Sequence, residues 1–214
     1  MSRAPLGIAV LVSGHGSNLQ ALLDAVATGR LNAEIRLVAS DRPDARGLAR
    51  ARDAGVPAVA IPPSDYSDRA AWNAALDAQL RESGAELVVL AGFMRVLGAS
   101  LVAAWAGRML NVHPSLLPLY RGLHTHRRAL EDGQAMHGTS IHFVTEELDG
   151  GPVILQAEVA VRPDDTEQSL AQRVQAREHE IYPQVVEWMA SGRLAWRDGA
   201  PWLDGRPLDA PRRV

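Results

Sequence analysis

Short apolar, β-branched runs recur at Gly7–Val12, Ile35–Ala39, Val56–Ile61, Leu87–Leu90 and Met109–Val112, and alanine-rich stretches with helical spacing separate them. That alternation predicts βαβ units. A run such as LVVL is apolar on both faces, so it belongs in a parallel sheet covered by helices on each side. The expected fold class is therefore α/β: a doubly wound, mostly parallel, Rossmann-like sheet.

Beyond Asn111 the texture changes to a proline-bounded loop, PSLLP. A short helix around Arg127–Asp132 and strand-like runs at Thr139–Val144 and Val153–Val161 follow. The expected division is a phosphate-binding lobe over residues 1–108 fused to a catalytic lobe over 109–205. Asp165 and Gln168 stand at capping-box spacing and open a long helix whose apolar stripe is Leu170, Val174, Ile181, Val185 and Trp188. Pro183 is expected to kink that helix or start a new segment. From Gly192 onward, LAW and PWL flank Gly199 and predict a small hairpin, with residues 206–214 as a flexible tail.

Composition removes several chemistries. The 214 residues include no cysteine, which excludes disulfides, thiolate nucleophiles and cysteine-ligated metals and is compatible with a reducing, cytoplasmic setting. All 22 basic residues are arginine, so Schiff-base lysines and the phosphate-loop lysine are excluded as well. Net charge is −3 with the arginines scattered, which gives a polyanion no concentrated face, so nucleic acid is not an expected partner. The opening apolar run is too short to span a membrane and reads as a first strand. Small-molecule substrates and a monomer or homodimer are the expectation.

Three segments carry candidate chemistry. SGHGSN, Ser13 to Asn18, lies between the first strand and a helical run, where the free amides of Gly16, Ser17 and Asn18 can converge on a phosphate. The alternative is a plain strand-to-helix turn with Ser17 as N-cap. NVHPSLLP leaves the carboxyl end of a predicted strand, where doubly wound sheets place their sites. Asn111 and His113 alternate there and can point the same way, and a carboxamide beside a titrating imidazole suits acyl transfer. A purely structural histidine remains the alternative. EELDGG, Glu146 to Gly151, is an acidic turn in which Asp149, if held near His113, would raise the imidazole pKa and keep it protonated; otherwise it is an ordinary Asp-Gly turn. His113, His124, His126, His137 and His142 lack metal-ligand spacing, so no metal is expected, and His124 and His126 read as pocket-lining or backbone-bonding residues. Arg177 and Glu178 fall at the long helix's apolar stripe, either reaching a polar ligand or pairing with each other at its edge.

Taken together, SGHGSNLQ, AGFMRVL, NVHPSLLP, HGTSIHFV, ELDGGPVILQ and EHEIYP closely resemble the phosphoribosylglycinamide formyltransferase family, in order and over roughly residues 6 to 205. The resemblance implies transfer of the formyl group of 10-formyltetrahydrofolate, as co-substrate, to the glycinamide amine. It implies catalysis by Asn111, His113 and Asp149, and binding of the phosphoribosyl substrate by Gly16, Ser17, Asn18, Gln175 and Glu178. It further implies a folate cleft of Arg69, Met94, Arg95, Val96, Leu97, Asn111, Thr145, Glu146, Glu147, Leu148 and Asp149. His15 departs from the pattern, standing where a small polar residue is common. Folate hydrolysis and a non-catalytic phosphosugar module are the competing expectations. Formylation of initiator transfer RNA is disfavoured by the lack of a basic surface.

Overall fold

The computed structural model describes residues 4–214. Strands β1 (Leu6–Val12), β2 (Ala33–Ser40), β3 (Ala58–Ala60), β4 (Leu87–Leu90) and β5 (Met109–His113) are mutually parallel and stand in the order β3-β2-β1-β4-β5. Antiparallel β6 (Met136–Phe143) and β7 (Val153–Ala160) extend the sheet beyond β5. The helices are α1 (Ser17–Ala27), α2 (Arg46–Asp53), α3 (Arg69–Glu82), α4 (Ala99–Ala104), α5 (Thr125–Glu131) and α6 (Glu167–Ala190).

The two-sided apolar strands explain why both faces are covered. Ile8, Val10 and Val12 of β1 and Leu87 and Val89 of β4 pack with Leu19 and Leu22 of α1 and with Ile181, Tyr182 and Val185 of α6. Their neighbours Ala9, Leu11, Val88 and Leu90 pack on the other face with Trp72, Leu76 and Leu80 of α3 and Leu101 of α4. Successive strand residues point to opposite faces, so one run feeds both cores. Each fully buried branched side chain contributes about 1.5–3 kcal/mol. The first cluster also takes in Ile141, Phe143, Ile154 and Leu155 from β6 and β7, so the halves before and after residue 109 share one sheet and one core.

Several expectations need correction. Gly16, not Ser17, is the N-cap of α1, because the chain enters the helix in a left-handed conformation (φ 73) and Ser17 is already helical. The capping box of α6 is Thr166 with Ser169, one residue beyond the expected pair, since the Asp165 carboxylate turns back to the Arg162 amide and the Ser169 hydroxyl. No break occurs at Pro183: α6 runs through it for 24 residues, held to the sheet by buried Ile181, Tyr182, Val185 and Val186 on either side. The segment from Gly192 is a three-stranded meander, β8 (Leu194–Arg197), β9 (Ala200–Leu203) and β10 (Arg206–Pro207). The expected free tail instead adds β11 (Arg212–Arg213) parallel to β7, with the Val214 amide bonded to Gln156 O and the Glu158 amide to Val214 O.

Candidate active site

The strand order reverses between β1 and β4, and the carboxyl ends of β1, β4 and β5 open on the same edge, where such sheets bind ligands. At β1 that edge carries Ser13–Asn18. A Cβ built on Gly16 would lie 2.7 Å from Gly47 Cα, so only glycine lets the start of α2 approach this closely, and the Gly47 amide donates to Gly14 O at 3.0 Å. No side chain caps α1, which leaves its first-turn amides open to an anion. The Asn18 side chain turns inward instead, donating from Nδ2 to Glu178 Oε2 at 2.7 Å, while Gln175 Nε2 donates to Ser17 Oγ at 3.0 Å. Residues some 160 positions apart thus meet, as the substrate-binding group drawn from the resemblance requires. Glu178 is buried, and burial pushes its carboxyl up to about 7 against the opposing Asn18 hydrogen bond. Arg177 pairs with Glu180 rather than with Glu178.

At β5, Asn111 lies opposite His142 of β6 in the antiparallel register, and the Asn111 carboxamide nitrogen lies 3.1 Å from His142 Nε2. His142 Nδ1 is 2.9 Å from Phe143 O, an acceptor that holds a proton on Nδ1. His113 Nε2 sits 2.9 Å from Tyr120 O, and its Nδ1 lies 3.4 Å from Asp149 Oδ2. The other Asp149 oxygen is 3.7 Å from His142 Nε2, and the carboxylate also accepts from the Gly122 amide at 2.9 Å. Burial alone would raise the Asp149 pKa, yet the His142 contact, the His113 ring and the Gly122 amide together hold it below the usual carboxylate value.

His113 departs from expectation: its pKa is lowered, not raised. Burial in the sheet edge outweighs the favourable field of Asp149 and the Tyr120 carbonyl, and His142 and Arg128 add to the lowering. Both ring nitrogens nevertheless face acceptors, so a proton taken up by this ring would be met by a second hydrogen bond.

The acidic turn owes its shape to close backbone approach at Gly151, where a Cβ would fall 1.9 Å from Phe143 O. Asp149 itself is left-handed (φ 48), which aspartate tolerates and which aims its carboxylate inward.

Beside this group lies a cleft that opens to solvent. Leu90, Phe93, Leu97, Val102 and Val144 form its apolar wall, and Arg95, Val96, Asn111, His142 and residues 145–149 complete it. Arg69, Met94 and His113 do not line it. Arg69 stands behind the wall and donates to Val96 O at 2.8 Å and Leu97 O at 3.0 Å, whereas the Met94 side chain is exposed. Arg95 is tied to Asp41 at 2.7 Å; Asp41 in turn accepts from Ser13 Oγ at 2.6 Å, and Ser13 Oγ accepts from the Met94 amide. His142 and, of the apolar wall, Leu90, Phe93, Val102 and Val144 are not among the expected cleft residues, whereas Leu97 is; the signal for His142 is its cross-strand position opposite Asn111. His124 caps α5 in a left-handed conformation and His126 Nδ1 meets His137 Nε2 at 3.1 Å, so neither lines the cleft. Among the described residues no group of three or more His, Asp or Glu is placed to hold a metal, and no helix is long and apolar enough to cross a membrane.

An uncapped helix start, an apolar cleft and a buried polar cluster at one sheet edge fit an α/β group-transfer enzyme. The chain belongs to the formyl transferase family, whose model matches residues 6–186. It is 52% identical over 203 residues to the phosphoribosylglycinamide formyltransferase of Escherichia coli strain K12, covering 95% of this chain and 96% of that protein. The solved phosphoribosylglycinamide formyltransferase of Coxiella burnetii superposes with a TM-score of 0.94 at 47% identity, covering 98% of this chain and 99% of that one. The human trifunctional purine biosynthetic protein adenosine-3 is 43% identical over 87% of this chain, which spans 18% of that longer protein.

Proposed function

We propose that this formyltransferase moves the formyl group of 10-formyltetrahydrofolate to the primary amine of 5-phosphoribosylglycinamide, in the cytoplasm and as a step of purine synthesis. The observation that carries the reading is the meeting of Asn111, His113, His142 and Asp149 between an apolar cleft and an uncapped helix start. The amides of Gly16, Ser17 and Asn18 take the phosphate, Gln175 and Glu178 take the ribose, and the cleft takes the flat pterin of the folate.

The neutral amine attacks the formyl carbon, forming the new C–N bond and a tetrahedral centre whose oxygen carries the negative charge. Asn111 Nδ2 has two hydrogens; one is committed to His142, and the other is free for that oxygen. As the oxyanion develops, His113 takes up the one proton that the attacking nitrogen sheds, relayed by the ionised Asp149 carboxylate or by water, because Asp149 and the Tyr120 carbonyl then accept from both of its nitrogens and the imidazolium balances the new charge. The bond from the formyl carbon to the folate N10 breaks as the carbonyl reforms, and the same proton passes from His113 to N10. The products are the formamide and tetrahydrofolate, with no covalent enzyme intermediate.

The test follows folate deformylation with and without phosphoribosylglycinamide in the wild type, His113→Ala and Asp149→Asn. Turnover that depends on the amine and falls by roughly 10²–10⁴-fold in either variant, with KM nearly kept, is expected. Amine-independent turnover would mean hydrolysis, no turnover would mean a binding module, and wild-type rates in the variants would remove the catalytic assignment.

A further inference from the structure

The phosphate cradle has a neighbour that the formyl-transfer chemistry does not use. His15, exposed in the loop before α1, is flanked by two guanidinium groups from α2. Arg46 Nη1 lies 3.4 Å from His15 Nε2, and Arg50 Nη2 lies 3.4 Å from His15 Nδ1 and 3.5 Å from Nε2. Arg50 is held in place by two further bonds, from Nε to His15 O at 2.9 Å and from Nη1 to Gln20 Oε1 at 2.9 Å. Its stem reaches the cradle itself: Arg50 Cδ would be 3.5 Å from a Cβ on Gly16.

Two like charges converge here on one imidazole, and among the described residues neither arginine has a carboxylate partner. By contrast Arg42, four positions before Arg46, is paired with Asp44. Unpaired guanidiniums brought together without a counter-ion repel one another, and an anion between them and the open amides of α1 relieves the repulsion. A helix start alone offers about half a positive charge, which under-matches a phosphate monoester carrying nearly two negative charges. The arginine forks supply the rest in a geometry suited to phosphate oxygens.

We propose that Arg46, Arg50 and His15 form a cationic wall that completes the phosphate-monoester site at the start of α1 and makes the enzyme demand the phosphorylated form of its amine substrate. This rests on the formyl-transfer reading above and adds residues that determine specificity. His15 acts as the spacer that fans the two forks toward the loop.

The experiment measures kcat and KM for phosphoribosylglycinamide and for its dephosphorylated riboside, in the wild type, Arg46→Gln and His15→Asn. Arg46 is exposed, and among the described residues its guanidinium makes no hydrogen bond to the loop's backbone, so its removal leaves the loop's backbone bonds intact. The KM for the phosphorylated amine is expected to rise roughly 10- to 100-fold in Arg46→Gln, as for loss of a charge-assisted hydrogen bond. The preference in kcat/KM for phosphorylated over dephosphorylated amine should shrink by the same factor, with the folate KM unchanged. His15→Asn should move the same preference in the same direction. An unchanged preference in both variants, at normal turnover, overturns the wall while leaving formyl transfer standing. Failure of the underlying reading would look different, as wild-type turnover indifferent to the amine.

Discussion

Glu178→Gln should tilt the dependence of stability on pH, in a direction fixed by burial. The carboxyl sits on α6 against Asn18 with about 7% of its surface exposed, and its pKa rises from 4.5 to about 7. Below pH 4.5 it is protonated in both folded and unfolded chains and costs nothing. Between pH 4.5 and 7 the unfolded chain releases the proton while the folded chain keeps it, so stability falls as pH rises and levels off above 7. A gap of about 2.5 pH units at about 1.4 kcal/mol each gives about 3 kcal/mol. Glutamine keeps an oxygen for Asn18 and removes the titration. His137 works in the opposite sense. Burial, then His126 and His113, lower its pKa from 6.5 to about 4, so its contribution is present above pH 6.5 and is lost as pH falls toward 4, again by about 3 kcal/mol. The two titrations overlap and offset each other in the wild type. Urea midpoints at half-unit steps from pH 4.5 to 7.5 should therefore show Glu178→Gln gaining about 3 kcal/mol on the wild type as pH rises, and His137→Asn losing a similar amount. Parallel curves for Glu178→Gln and the wild type would mean that the folded protein holds an ordinary carboxylate there, and the argument from desolvation would fail.

Two further substitutions probe the frame around the site. Gly151→Ala places a methyl 1.9 Å from Phe143 O, so the turn carrying Asp149 must move; a loss of about 1–3 kcal/mol by denaturant unfolding should accompany a fall in kcat larger than the change in either KM. Tyr182→Phe removes a buried hydroxyl lying 2.9 Å from Leu90 O and 3.1 Å from Leu110 O, tying β4 to β5, and should lower stability by about 1–2 kcal/mol in the same assay with little effect on turnover at saturation.

What the sequence discloses, and what it hides, divides along a physical line. Runs such as GIAVLV and LVVL state their fold directly, because only a strand covered on both sides can bury every residue, and all of Ile8 to Val12 are fully buried. The helix stripe from Leu170 to Trp188 is legible for the same reason. The loops at Gly16 and Gly151 are legible because close approach of another backbone requires glycine there. Depth was not legible. Nothing in NVHP tells how far His113 sinks into the sheet edge, and that depth reverses the expected direction of its pKa even though Asp149 is beside it. Nor does the resemblance separate a residue that lines a cleft from one that buttresses it: it implies a folate contact for Arg69, whose guanidinium is spent on the Val96 and Leu97 carbonyls. β11 is not legible because two arginines bordering a proline carry no apolar alternation, and the strand is made by backbone bonds to β7 and an Arg213–Glu158 ion pair.

The sheet order also explains how the two proposed substrate sites are joined. Ser13, at the end of β1, and Met94–Arg95, after β4, are brought together only because β1 and β4 are neighbours in the sheet. The Asp41 side chain, buried between them, bonds Ser13 on the phosphate side and Arg95 on the cleft side. A carboxylate so enclosed is stable only while both partners stay in place, since an unpaired buried charge costs several kcal/mol. Asp41 therefore fixes the wall of the cleft relative to the phosphate loop. Attack of an amine on a formyl carbon depends on that separation being held, because reacting atoms must be presented at about 3–3.5 Å. In the proposed reaction, rigidity between the two sites would be a catalytic contribution, made by residues that touch neither reacting atom.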